Sequence, residues 1–146
     1  MDVTHPASCI VANIRATSRI ITQFYDAMLK PSGLRITQFT LIVALIETEP
    51  ISLTKFADFV AMDRTTLARN LSPLEREGWL VVAVDEFNKR QRIISTTDDG
   101  RKRYQEALKL WWKAQAHMLE RFGTESWEAM LTKLNTLSEI AQQGRL

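Results

Sequence analysis

The sequence predicts a mainly α-helical fold with one small β-hairpin, and three observations carry that prediction. Apolar residues recur at helical spacing through most of the chain, with only 5 Gly and 4 Pro among 146 residues to interrupt them. One β-prone run, Trp79-Leu80-Val81-Val82-Ala83-Val84, is followed by polar turn residues and then by a return run, Gln91-Arg92-Ile93-Ile94-Ser95-Thr96. In the middle of the chain, Ala61-Met62 makes a short turn just ahead of Asp63, a residue type that opens helices. Two short helices joined by a tight turn and followed by a basic hairpin make a winged helix-turn-helix. Helical regions at both ends, suited to dimerisation, flank it.

The elements follow in order. Residues from about Ser8 to Leu29 form the first helix, with a broken apolar stripe of Ile10, Ile14, Ile21, Phe24 and Met28 and with Arg15 and Arg19 interspersed. Pro31-Ser32-Gly33 stops it. Thr37 is expected to cap a second helix running to about Glu47. Phe39, Leu41, Ile42, Val43, Leu45 and Ile46 make that helix apolar nearly all round, so it is expected at the centre of the core. Glu49-Pro50 ends it, Ile51 is a candidate for a very short strand, and Ser52 caps a third helix containing Leu53, Phe56, Ala57 and Val60. The Asp63 helix comes next and stops at Gly78. After the hairpin, Thr97 caps a long helix to about Phe122. Gly123 breaks it, and a last helix runs from about Glu125 to Gln142.

Composition is that of an ordinary globular chain, 45% hydrophobic and 25% charged. The length suits a single domain, 1–146, with helices at about 8–30 and 100–146 serving dimerisation and a central lobe at about 35–97. Net charge is only +2, so the placement of cations matters more than their sum. Cys9 is the single cysteine, which excludes an intrachain disulfide and a cysteine-built metal site. No apolar run reaches the roughly 18 residues that a bilayer span needs. The start, Met1-Asp2-Val3-Thr4-His5-Pro6, lacks the pattern of a signal peptide, so a cytoplasmic location is expected. No Gly-rich phosphate loop, metal-ligand cluster or nucleophile–base pair is visible, and neither an enzyme nor a cofactor is expected.

Chemistry concentrates on the Asp63 helix and its surroundings. Leu67, Leu71 and Leu74 follow the i, i+4, i+7 rule and face a core. Arg64, Thr65, Thr66, Arg69 and Arg76 lie outside that stripe, and hydroxyls with guanidinium groups are the chemistry that reads base edges and phosphates in a major groove. Ser52, Thr54 and Lys55 open the preceding helix, where exposed N–H groups favour a phosphate. Lys89, Arg90 and Arg92 sit in and beside the hairpin turn. Each cation has a plainer reading as a solvated or ion-paired side chain: Arg64 with Asp63, Arg76 with Glu75 or Glu77, Lys89 and Arg90 as hairpin solubilisers. The terminal helices carry stripes at coiled-coil-like spacing. Tyr104, Leu108, Trp111, Gln115, Met118 and Phe122 form one, and Trp127, Met130, Leu134, Leu137 and Ala141 form the other. These stripes point to a homodimer.

The run Phe56-Ala57-x-x-Val60-Ala61-Met62-Asp63-Arg64-Thr65-Thr66-Leu67-x-Arg69-x-Leu71-x-x-Leu74-Glu75-x-x-Gly78 resembles the helix-turn-helix of the MarR family of bacterial transcription regulators. Asn88-Lys89-Arg90 is similar to that family's Asp-basic-Arg wing tip. Thr97-x-x-Gly100 is similar to the start of its fifth helix, and Pro31-x-Gly33-Leu34 with Thr37-x-Phe39 to the loop between its first two helices. There are departures. Asn88 replaces an Asp, which implies a less rigidly held wing. Ala61 replaces a turn glycine, which argues against a positive φ there. Thr96 replaces a Leu, and Pro73 lies inside the recognition helix, where it removes a backbone donor.

The resemblance implies a dimeric, sequence-specific DNA-binding regulator of an inverted-repeat operator, a repressor released by a small molecule. Arg90 would enter a minor groove, with Lys89 and Arg92 on flanking phosphates. Such proteins often take small aromatic or amphipathic anions in a crevice, for which Arg15, Arg19, Trp111 and Trp112 are the candidates here. Structural ion pairs and dimer-core packing are the plainer readings of those four. Cys9 has two readings as well, an oxidant sensor near the start of the first helix with Arg15 close in sequence, or a small packed side chain. A winged helix used only for protein–protein contact is the rival outside DNA binding.

Overall fold

The computed structural model describes residues 2–144, so residues 1, 145 and 146 of the expected domain lie outside the described residues. After a 3-10 turn at Pro6–Ser8, the elements are α1 (Ile10–Leu29), a 3-10 turn at Lys30–Ser32, α2 (Ile36–Thr48), β1 (Ile51–Ser52), α3 (Leu53–Phe59), α4 (Arg64–Arg76), β2 (Leu80–Val84), β3 (Arg92–Thr96), α5 (Asp98–Phe122) and α6 (Thr124–Gln143). The winged helix-turn-helix order is as expected. Two compact units are distinguished, one ending at Trp111 and one beginning at Trp112.

In the first unit the core is built on α2, whose Phe39, Leu41, Ile42 and Leu45 are buried. Tyr25, Leu29, Leu34, Phe56, Ala57, Leu67, Leu71, Leu74, Leu80, Ile94 and Ala107 are buried with it. Full burial of such leucines contributes roughly 1.5–3 kcal/mol each relative to exposure. The three-stranded antiparallel sheet has the order β1-β3-β2. Ile94 is its centre, opposite Ile51 on one side and Val82 on the other.

The cap of α2 differs from expectation. Arg35, in extended backbone, is the N-cap, and Thr37 lies one residue inside the helix. Gln38 explains the earlier start: its Oε1 accepts the Arg35 N–H at 2.9 Å, while Asp26 Oδ1 on α1 accepts the Ile36 N–H at 2.7 Å. Two donors of the first turn are thereby satisfied without Thr37.

The Thr97-x-x-Gly100 pattern has a steric cause. Thr97 Oγ1 donates to the Gly78 carbonyl at 2.6 Å and accepts the Gly100 N–H at 3.0 Å, which joins the end of α4 to the start of α5. A Cβ on Gly100 would lie 1.9 Å from the Trp79 carbonyl oxygen. Only glycine lets the first turn of α5 approach so closely.

In the second unit, α6 has no buried residue, and Met130, Leu131, Leu134, Leu137 and Ile140 are exposed. Trp127 meets Phe122 edge-on with ring centroids 6.3 Å apart.

Candidate nucleic-acid interface

Helix α4 presents two chemically distinct faces. Leu67, Leu71 and Leu74 are buried, whereas Arg64, Thr65 and Arg69 are exposed on its first half and Arg76 on its last turn. Asp63 fixes where the helix begins: its Oδ1 accepts the Thr66 N–H at 2.8 Å and its Oδ2 accepts the Thr66 hydroxyl at 2.6 Å. These two bonds, the hydroxyl first, hold the Asp63 carboxyl below its ordinary pKa of 3.8. The same bonds change the expected role of Thr66. Its hydroxyl proton is already committed and the residue is only half-exposed, so its lone pairs and methyl group remain for a ligand. Thr65 is left as the freely presented hydroxyl of the first turn.

The turn before α4 corrects a second expectation. Ala61 takes φ +53° and is the one non-glycine with positive φ among the described residues. The backbone around it dictates the conformation, with Ala61 N–H bonded to Asp58 O at 3.1 Å and Met62 N–H to Ala57 O at 2.9 Å. Alanine has the smallest Cβ substituent that still suffers in this region, at a cost of roughly 1–2 kcal/mol. Pro73 is accommodated inside a continuous α4; its missing N–H lies beyond the turns that carry Thr65 and Arg69.

Ser52 caps α3 as expected: its Oγ accepts the Lys55 N–H at 3.3 Å, and the residue is buried, which leaves little of it for a phosphate. Thr54 and Lys55 are exposed.

The wing turn is held from within. Asp85 Oδ1 accepts the N–H groups of Phe87 at 2.8 Å and Asn88 at 3.3 Å. Asp85 N–H bonds to Gln91 O at 3.1 Å, and Gln91 N–H to Asn88 O at 2.8 Å. Asn88 Oδ1 accepts the Arg90 N–H at 3.2 Å. An uncharged Asn therefore orders the turn through the backbone, where an Asp was expected to act through the arginine side chain. Lys89, Arg90 and Arg92 are exposed. The ion pairs among the described residues involve Arg101, Lys102, Arg103 and Arg121. None involves Lys55, Arg64, Arg69, Arg76, Lys89, Arg90 or Arg92, so the ion-paired readings of Arg64 and Arg76 are not observed among the described residues.

No family model matches the chain. The chain is 30% identical to the M. tuberculosis transcriptional regulator MosR, whose structure was solved in complex with DNA. The match covers 94% of this chain and 99% of that one, with a TM-score of 0.86. It is also similar in fold to a MarR-family transcriptional regulator from Rhodococcus sp. RHA1, at 19% identity over 88% of this chain and 94% of that one, TM-score 0.73. The chain belongs to the MarR family of transcription regulators. A further relative of this MarR-family chain is the uncharacterised HTH-type transcriptional regulator YwoH of Bacillus subtilis, 24% identical over 120 residues, 82% of this chain and 87% of that protein.

The remaining candidates of this MarR-family chain lie on α1 and α5. Arg15 and Arg19 are exposed on α1. Trp111 stacks on Phe39 with centroids 6.0 Å apart, and Trp112 is exposed. A cleft of about 450 Å³ lies elsewhere, lined by Lys30, Gly33, Gln38, Pro73, Trp79 and Arg103 among others, and none of Arg15, Arg19 and Trp111 borders it. Arg103 spans it, with its guanidinium 5.2 Å from the Trp79 ring centroid and Nη1 donating to Ser32 O at 3.1 Å.

Cys9 is exposed, which contradicts its reading as a packed side chain. It is the N-cap of α1 and makes no side-chain cap bond. Helical geometry puts Arg15 roughly 9 Å further along α1 and about a third of a turn off its line, and buried Tyr25 roughly 24 Å along. Tyr25 is therefore out of reach of the thiol within the chain. No helix among the described residues is long and apolar enough to cross a membrane. The described residues place no group of three or more His, Cys, Asp or Glu side chains to hold a metal.

The residue that the sequence reading missed is Phe87, which stands 97% exposed in the wing turn. Its signal was present, because a large aromatic between Asp85-Glu86 and Asn88-Lys89-Arg90 has no place in a polar turn's usual composition.

Proposed function

We propose that this MarR-family regulator acts as a homodimer on an inverted-repeat operator, as a repressor released by a small aromatic or amphipathic effector in the cytoplasm. The observation that carries the reading is the division of α4 into a buried leucine face and an exposed face of Arg64, Thr65 and Arg69. The exposed cations Lys89, Arg90 and Arg92 of the wing support it, as does the 30% identity to MosR, solved with DNA.

The chemistry follows from the side chains. The first turns of α4 enter the major groove, where Arg69 forks onto a guanine edge or a phosphate and Thr65 meets a base edge or a thymine methyl. Thr66 contributes its methyl group and lone pairs, and Thr54 and Lys55 lie on the backbone. Arg90 enters the adjoining minor groove, with Lys89 and Arg92 on phosphates. The exposed apolar face of α6 supports a second copy as partner, and two-fold symmetry sets half-sites about one helical turn apart. Arg15, Arg19, Trp111 and Trp112 remain the candidates for effector contact. Release is assigned to a ligand; oxidation of Cys9, which is exposed and present once in each of two copies, is the second reading. No catalytic step is assigned.

Selection of bound duplexes from a random library, followed by salt-titrated binding, tests the reading. The expected result is an inverted repeat that is held far more tightly than random DNA, with log K falling steeply against log salt. Equal affinity for selected and random duplexes at every salt concentration would remove sequence-specific recognition and leave the winged helix as a contact module.

A further inference from the structure

We propose that Phe87 is a DNA-contacting residue: from the wing tip it lays its ring on the deoxyribose wall of the minor groove, beside the point where Arg90 enters. The inference rests on the DNA-binding reading above and deepens it.

Phe87 is the most exposed of the large apolar side chains among the described residues, at 97%. Residues 86–92 are all exposed, so nothing in the wing covers it. The turn nevertheless holds its backbone in place. Asp85 Oδ1 grips the N–H of Phe87 itself and of Asn88, the Asp85–Gln91 and Gln91–Asn88 backbone bonds close the loop, and Asn88 Oδ1 holds the Arg90 N–H. An aromatic ring displayed on a pinned turn loses little conformational freedom when it binds, which favours a contact role.

The neighbouring charges say what the ring meets. Lys89, Arg90 and Arg92 are exposed and outside the ion pairs of the described residues, while the Asp85 carboxylate is occupied by two N–H donors. Glu86 is the other anion of the turn. A surface that accepts three cations and one aromatic ring within six positions must offer anionic and apolar groups side by side. The minor groove does so, with phosphates on its rims and sugar C–H rows on its walls, and apolar side chains are a recurrent means of engaging it. Phe87 precedes Arg90 by three residues, so ring and guanidinium leave the same turn. An acidic, aromatic-binding protein partner is the competing occupant.

The two contacts differ in salt dependence. A guanidinium on DNA displaces counterions, whereas a phenyl ring on sugar does not. The experiment measures affinity for the selected operator duplex at several salt concentrations for the full-length wild type, Phe87→Ala, Phe87→Leu and Arg90→Ala. Phe87→Ala is expected to lose about tenfold in affinity at every salt concentration with an unchanged slope, the effect of removing partly buried apolar surface. Phe87→Leu is expected to stay within about threefold of wild type, since leucine keeps most of the apolar surface. Arg90→Ala is expected to flatten the slope by about two for a dimer, one per protomer. All four should melt alike, because the wing tip lies outside the core. Wild-type affinity in Phe87→Ala overturns the contact, as does a change in its slope, which would mean that the substitution only displaces the cations. If wild type itself shows no preference for the selected duplex, the DNA-binding reading fails first and the Phe87 contact with it.

Discussion

The Glu49 carboxylate holds Thr96 by both of its donors, the backbone N–H and the hydroxyl, the latter at 2.7 and 2.8 Å. Arg101 pairs with the same carboxylate from α5. One acidic side chain, 9% exposed at the end of α2, thus fixes the end of wing strand β3 and the start of α5. The relationship accounts for Thr96 at a position where the family usually carries Leu: the site uses a hydroxyl donor where an aliphatic side chain would leave a lone pair unmatched.

Glu49→Ala is expected to destabilise the protein by about 2–4 kcal/mol, because it removes an acceptor shared by three donors and leaves the Thr96 N–H without its partner. Arg101, half exposed, contributes the smaller and salt-screened share. Glu49→Gln, which keeps a carbonyl oxygen, should cost less than half as much. Urea unfolding with an unchanged m-value is the measurement. A loss under about 1 kcal/mol for the alanine variant would show that water replaces the carboxylate at little cost.

Gly100→Ala tests the close approach of α5 to the end of α4. The added Cβ would stand 1.9 Å from the Trp79 carbonyl oxygen, backbone that cannot swing away. The expected cost is at least about 3 kcal/mol, since the whole first turn of α5 must retreat. Thermal melting that matches wild type would mean that the two segments separate freely.

Ala61→Gly should act in the opposite direction. Ala61 is held at φ +53° by the turn between α3 and α4. Glycine relieves the steric cost of that conformation but adds freedom to the unfolded chain, and the balance is expected to stabilise by about 0.5–1 kcal/mol. Destabilisation on chemical unfolding would show that the alanine methyl group contributes more by contact than it loses by strain.

The two Ala61 results, expected and observed, illustrate what the sequence could carry. Periodicity placed α4, because Leu67, Leu71 and Leu74 permit only one buried face, and the nearly all-round apolar character of α2 placed it at the centre of the core. Neither could place Ala61, because a turn's φ is decided by bonds such as Met62 N–H to Ala57 O, made between segments whose meeting no local pattern encodes. The same limit applies at Thr66. Its hydroxyl suited bases by type, and only geometry shows it engaged by Asp63. Thr37 lost its cap for a comparable reason, since Asp26 reaches across from another helix. The cations of the candidate interface were legible because exposure is their default, and no ion pair among the described residues takes them.

Asp63 predicts a pH dependence of the recognition helix. The Thr66 hydroxyl and N–H hold its carboxyl below the ordinary 3.8. A depressed folded-state pKa means that the unfolded chain takes up the proton first. The stabilisation is therefore complete above the unfolded value and disappears as pH falls through the folded one. Asp63→Asn keeps a cap acceptor without titrating. The melting advantage of wild type over Asp63→Asn should be present at neutral pH and shrink as pH falls below about 4. A gap that stays constant down to about pH 3 would show that the charge contributes nothing to the cap.

The last prediction concerns assembly. Trp127, Met130, Leu134, Leu137 and Ala141 recur at alternating intervals of three and four, which places them along one side of α6. Met130, Leu134 and Leu137 are 46%, 37% and 38% exposed, too much apolar surface in one row for a helix that faces only water. Covering this row with its symmetry mate makes an isologous interface, in which each residue that contributes also receives. Light scattering at micromolar concentration should therefore give twice the chain mass. The double variant Leu134→Glu with Leu137→Glu, which leaves the winged core untouched, should run as a folded monomer. Its operator affinity should fall by orders of magnitude, because one recognition helix then binds without the second held a helical turn away. Removal of the chain after Gly123 takes away the whole row and should give aggregates or weakly folded monomers with little operator affinity. A monodisperse monomer for the intact chain would overturn the dimer. A double variant that remains dimeric would instead move the interface off this face of α6 and onto the exposed apolar residues of α1, Ile10, Ile14 and Ile21.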